Sequence, residues 1–170
     1  MRTRVMLGVM VALLQGAGAI RLPGTAVDYF ALRDTVTTDN RSVIRVYEVN
    51  DTSGQTYVQF ACEARELHAS LHGRNPLLSP EARKRELYPL LVYQVDQQQL
   101  KTFEVSGISD EAGKGLLDSV AFEKDAVVVE AFGHAVRRVT LRISRLGMSE
   151  ITLVFAVKGF REALRRIKPC

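Results

Sequence analysis

Val136-Arg137-Arg138-Val139-Thr140-Leu141-Arg142-Ile143-Ser144 is followed, one short turn later, by Ile151-Thr152-Leu153-Val154-Phe155-Ala156-Val157. In the first stretch Val139, Leu141 and Ile143 alternate with Arg138, Thr140, Arg142 and Ser144. In the second, Ile151, Leu153, Phe155 and Val157 share one side. A period of two is the pattern of a strand with one buried and one wet face. Leu146-Gly147-Met148-Ser149 between them supplies turn residues, so the pair reads as an antiparallel hairpin.

The same period recurs outward along the chain, over Val43–Val49, Gln55–Cys62, Pro89–Val95, Leu100–Val105 and Ala126–Phe132. Asp51-Thr52-Ser53-Gly54, Asp96-Gln97-Gln98-Gln99 and Gly133-His134 punctuate these runs. Short strands at this spacing predict a mainly β fold, an antiparallel sandwich or a barrel-like sheet. Two helices interrupt it. Ser79-Pro80-Glu81 reads as an N-cap with proline at the first helical position, opening a short middle helix to about Tyr88. Phe160, Ala163, Leu164 and Ile167 fall at i, i+3, i+4 and i+7 and predict a C-terminal helix ended by Pro169. Glu63–Gly73 and Ser106–Ser119 are each ambiguous between helix and loop.

The chain has 170 residues, 46% hydrophobic and 25% charged, with no tryptophan and a formal charge of +4. That composition excludes a disordered tail, a collagen-like fibre and a disulfide-dense mini-protein. Arg2 and Arg4 precede an apolar run from Val5 to Leu14, and Ala17-Gly18-Ala19 follows; this order predicts a signal peptide over residues 1–19. The apolar run is too short to span a bilayer. Residues 20–170 are then one β-rich domain without a transmembrane segment. Removing Arg2 and Arg4 from the 23 basic residues leaves 21 against 19 acidic ones, so the basic balance that would invite nucleic acid nearly vanishes. Arg137, Arg138, Arg142 and Arg145 are read as a solvated sheet face.

Cys62 and Cys170 are the two cysteines. In an exported chain they favour an internal disulfide; two free thiols, or an intermolecular bond through Cys170 beside a reactive Cys62, are the alternatives. Cys62 shares its face with Val58 and Phe60 and is expected to point inward.

The search for chemistry leaves few candidates. His68 and His72, four apart, meet on one face if Glu63–Gly73 is helical, and Glu66 adds a carboxylate; these three are the candidate metal ligands. The order is not H-E-x-x-H, and no G-x-S-x-G serine elbow is present. Gly113-Lys114-Gly115 lacks the rest of a phosphate-binding loop, and His134 reads as a turn residue. No catalytic, cofactor-binding or metal residue is therefore assigned, and no cofactor is expected.

The tail residues Val139-Thr140-Leu141-Arg142-Ile143, Ile151-Thr152-Leu153-Val154-Phe155 and Gly159-Phe160-x-x-Ala163-Leu164, ending in Cys170, resemble VasI/TagO-like periplasmic proteins associated with type VI secretion. The strand followed by Gly-Phe-x-x-Ala-Leu is also similar to invasion-associated locus B proteins. The resemblance spans about Ala126 to Cys170, and this chain has no cysteine between Ile20 and Asn40, where the first group carries one. It implies a non-enzymatic periplasmic accessory protein with a β-sandwich-like fold. The sequence thus predicts a periplasmic or secreted binding or accessory protein with a cell-envelope protein partner and no nucleic acid. The alternative is a small envelope enzyme, a metal-dependent hydrolase in one form.

Overall fold

The computed structural model describes residues 18–33, 39–168 and 170. The signal peptide expected over residues 1–19 lies outside them except for its last two residues, as does the helix stop expected at Pro169. The described chain is mainly β, with two antiparallel sheets and three helices.

The larger sheet has seven strands: β1 (Ile20–Arg21), β2 (Val27–Phe30), β3 (Val43–Tyr47), β4 (Tyr57–Glu63), β5 (Glu66–His72), β8 (Val105–Ser109) and β9 (Gly115–Phe122). Their spatial order is β1-β2-β3-β4-β5-β9-β8. The smaller sheet orders β11 (Ile151–Ala156), β10 (Arg138–Ser144), β6 (Leu90–Val95) and β7 (Lys101–Phe103) as β11-β10-β6-β7. The hairpin read from the alternating tail forms in register, Leu141 opposite Leu153 and Ile143 opposite Ile151.

The sheets meet at both sides. Only Glu104 separates β7 from β8, so the chain passes there from one sheet to the other. On the far side Val49 N donates to Val154 O at 2.9 Å, and the Glu48 carboxylate accepts from Val154 N at 3.1 Å. These bonds occupy the middle of the β11 edge, which would otherwise present unpaired backbone groups.

Between the sheets lies one continuous apolar core. Helix α2 (Asp125–His134) follows β9, and α3 (Phe160–Ile167) closes the chain. Phe132 of α2 and Phe160 of α3 meet Phe60 of β4 with ring centroids at 5.3 and 4.7 Å, spacings typical of favourable aromatic pairs. As expected, Phe160, Ala163 and Ile167 are buried. The short α1 (Pro80–Lys84) has Ser79 as its N-cap, with the Ser79 hydroxyl accepting from Ala82 N at 3.1 Å, but it ends before Tyr88.

The run Ala126–Phe132 is helix α2, not a strand. Val128, Ala131 and Phe132 are buried, with Ala135 beyond them, and this is helical spacing. Three successive valines, which restrict χ1 and favour strands, mask that stripe. His134 accordingly ends a helix, 3.6 Å from Glu130, and is not a hairpin-turn residue. The ambiguous Glu63–Gly73 holds the β4–β5 turn and β5, while Ser106–Ser119 holds most of β8 and β9. The strands β1 and β2 were not expected.

Cys62 and Cys170 are joined, with Cα atoms 5.7 Å apart across a sequence separation of 108. The Cys62 side chain is buried on the Val58 and Phe60 face as predicted. Among the described residues no helix is long and apolar enough to cross a membrane.

Candidate functional site

The three candidate ligands all lie on β5, and the strand changes their relationship. Helical spacing would bring His68 and His72 together; in a strand, residues four apart are about 13 Å apart at roughly 3.3 Å per residue. Alternation puts Ala69 and Leu71 into the core and turns Glu66, His68, Ser70 and His72 outward. The two histidines then engage different partners, and the structure does not bring Glu66, His68 and His72 together as one ligand set. Among the described residues no group of three metal-ligating side chains is gathered to hold an ion.

His68 Nδ1 lies 3.1 Å from Asp125 Oδ2, while Asp125 Oδ1 accepts from Ala69 N at 2.7 Å. Asp125 opens α2, so this carboxylate fastens the start of the helix to β5. A hollow of about 600 Å³ beside it is lined by Glu66, Leu67, Val129, Glu130, His134 and Cys170 together with Asp125 and Ala126.

His72 sits in a chain of hydrogen bonds across two strands. The Ser119 hydroxyl donates to Asp118 Oδ1 at 3.0 Å, and His72 Nδ1 lies 2.9 Å from the Ser119 oxygen. With its proton committed to Asp118, Ser119 accepts from Nδ1–H. The neutral imidazole therefore carries its lone pair on Nε2, which is 2.9 Å from Ser70 Oγ. The Ser70 hydroxyl donates to Nε2, so the sequence of donors runs Ser70, His72, Ser119, Asp118.

The imidazole is stacked on a neighbouring ring, and its surroundings favour the neutral form. Tyr57, its cross-strand partner, stacks on it with centroids 4.8 Å apart and planes at 23°. Burial is the largest cause holding its pKa below the ordinary 6.5; the positive charge of Arg45 adds to this and Asp118 opposes it. Arg45 itself lies between two rings, 5.2 Å from Phe30 and 4.9 Å from Tyr57. Its Nε donates to Gln59 Oε1 at 3.0 Å, and Gln59 is the residue directly across β4–β5 from Ser70. On the other side Ser70, half-buried, faces the small Ala121 of β9.

Ser70, Ser119, Asp118, Gln59 and Arg45 were not anticipated. The Ser70-x-His72 spacing is visible in the sequence, but it becomes a contact only once β5 is known to be a strand. Ser119 and Asp118 are drawn in by the β5–β9 pairing, which joins segments 47 residues apart. Gly113 and Lys114 belong to the β8–β9 turn, where Asp110 Oδ1 accepts from Lys114 N. Gly115 begins β9 beneath the Arg83 guanidinium.

A second surface lies at the start of β10. Val136 is 79% exposed and Val49 is 47% exposed, and they border a groove of about 750 Å³ with Arg137, Arg138, Val154 and Ala156. The Asp96 carboxylate on its rim accepts from Val136, Arg137 and Arg138 N at 2.7, 2.8 and 2.9 Å. Those bonds, Val136 N first, hold the carboxyl below its usual pKa. Arg142 and Arg145, read beside them as one basic face, are engaged instead with Glu150 and with the Ser149 and Pro76 carbonyls.

No family model matches the chain, and neither the curated proteins nor the solved structures provide a match.

Proposed function

We propose that this is an exported accessory or binding protein, periplasmic or secreted, that docks onto a protein of the cell envelope. The observation that carries the reading is the Cys62–Cys170 disulfide, since such bonds form and persist in oxidising compartments. The charged, apolar and small-residue order of Met1–Ala19 supports it from the other end of the chain, and the tail resemblance agrees with an accessory role.

At the smaller sheet, docking uses loops and sheet faces rather than strand addition. Glu48 and Val49 obstruct the β11 edge, and β7 is only three residues long. The exposed Val136 beside Arg137 and Arg138 is a loop surface of the appropriate kind.

The test is expression with the native N-terminus, followed by cell fractionation and intact-mass measurement. The expected product begins at Ile20, lies outside the cytoplasm and contains no free thiol under denaturing conditions. A cytoplasmic product that retains Met1 and has two free thiols would overturn the proposal.

A further inference from the structure

We propose that the outer face of the larger sheet carries a serine-nucleophile acyl-transfer site, with Ser70 as nucleophile and His72 as its general base, acting on small carboxylic esters. This goes beyond the export and docking reading, which stands or falls on other measurements.

The first requirement of such chemistry is a hydroxyl donating to an imidazole lone pair, and Ser70 Oγ lies 2.9 Å from His72 Nε2. The second is a group that fixes the base in the correct tautomer. Ser119 does this by accepting from Nδ1, and it is in turn oriented by Asp118, at 2.9 and 3.0 Å. Ser119 is 3% exposed, so its hydroxyl behind the imidazole is shielded from water, while Asp118 beyond it is exposed. Ser119 and Asp118 are positioning residues, with Asp118 acting through one intervening hydroxyl rather than directly.

The third requirement is a donor aimed at the oxyanion. Directly opposed residues of an antiparallel pair have Cβ atoms about 4.5–5.5 Å apart, and Gln59 opposes Ser70. Its amide oxygen is bound by Arg45, which leaves the Nε2 hydrogens for a carbonyl attacked by Ser70. The Arg45 charge behind the amide favours the same negative charge. Ser70 and Gln59 are both half-buried, and the small Ala121 faces Ser70 across the β5–β9 pair.

In the reaction, Ser70 Oγ forms a bond to the ester carbonyl carbon as its proton passes to His72 Nε2. The tetrahedral intermediate collapses by breaking the bond to the alcohol oxygen, which leaves with the proton from Nε2. Water, deprotonated by the same nitrogen, then attacks the acyl-serine, releases the carboxylic acid and returns the proton to Ser70. Water is the only co-reactant.

The experiment uses the mature disulfide-bonded protein and an alkyl fluorophosphonate, read by intact mass and peptide mapping. Ser70 Oγ displaces fluoride, so one adduct on Ser70 is expected. His72→Gln should slow labelling at least about 100-fold, and Ser70→Ala should abolish it. Ser119→Ala should slow it and alter its pH profile, with Ser119→Thr restoring both. In a second readout, Gln59→Ala should lower p-nitrophenyl acetate turnover by about 100-fold. Thermal melts of each variant establish that it is folded. Labelling elsewhere, labelling of His72→Gln at the wild-type rate, or no adduct after prolonged incubation at pH 8 would overturn the assignment.

Discussion

Glu48 is 6% exposed, yet both of its oxygens have partners: Oε2 accepts from Asn50 N at 2.7 Å, and Oε1 accepts from Asn50 Nδ2 and Val154 N. A buried carboxylate is tolerable when its lone pairs are filled, and here they are filled where the two sheets meet. Glu48→Ala would strip Val154 N of its partner and loosen that junction. The expected cost is about 1–3 kcal/mol, measured by urea unfolding; a loss indistinguishable from that of an exposed Glu111→Ala control would show that the junction does not depend on Glu48. His72 supplies a pH dependence at the same scale. It faces Arg45 from β3, Tyr57 from β4 and Asp118 from β9, with a folded pKa below 6.5. Between the folded value and 6.5 the unfolded chain binds a proton that the folded chain does not. The stabilisation is therefore complete above 6.5 and declines as pH falls through that window. The drop in urea midpoint from pH 7.5 to 5 should be smaller in His72→Gln than in the wild type; equal drops would place the acid sensitivity elsewhere.

At the scale of elements, the β4–β5 hairpin turns through Ala64 and Arg65, both at positive φ, 50° and 71°. Such a turn favours Asn-Gly, because a Cβ in the left-handed region costs roughly 1–2 kcal/mol per residue. Glu63 and Glu66 face each other across its base and repel. The strands nevertheless close, because β4 and β5 bury Phe60, Cys62, Ala69 and Leu71 on one face. Replacing Ala64-Arg65 by Asn-Gly should stabilise the protein by about 1–2 kcal/mol and raise Tm by a few degrees; an unchanged or lower Tm would mean that the strain is relieved elsewhere. This hairpin also marks the limit of what was legible. Alternation was plainest in β10, where Arg138, Thr140, Arg142 and Ser144 face out and Val139, Leu141 and Ile143 are buried. In β5, Glu66 and the two histidines alternate with Leu67, Ala69 and Leu71 in the same manner, but no glycine, asparagine or proline marks its first turn. Helix α2 was misread for the opposite reason: its start has no side-chain cap, and Asp125 spends its carboxylate on β5.

For the whole molecule, order along the chain and order in space diverge, and that divergence hid the candidate site. β5 pairs with β9 across the entire β6–β8 segment, and β6 pairs with β10 around α2; no periodicity within a segment specifies either pairing. The two cysteines were the exception, because an oxidising compartment and a partner count of two leave few arrangements. Their bond ties the last residue to the middle of the larger sheet and closes nearly two thirds of the chain into a loop. In the chain-entropy account, a loop of this length contributes about 4–5 kcal/mol by restricting the unfolded state. Without it, α3 keeps its buried Phe160, Ala163 and Ile167 and the bond from Asn40 Nδ2 to Ile167 O at 2.6 Å, so the native fold should persist. Cys62→Ala with Cys170→Ala should therefore give the same far-ultraviolet circular dichroism as the wild type, with a Tm lower by on the order of 10 °C. Because the effect belongs to the unfolded chain, folding should slow while unfolding changes little if the closing contact forms early. A double variant whose Tm lies within 2 °C, roughly 1 kcal/mol for a domain of this size, would refute the entropic account and leave the bond as a fastening of the C-terminus alone.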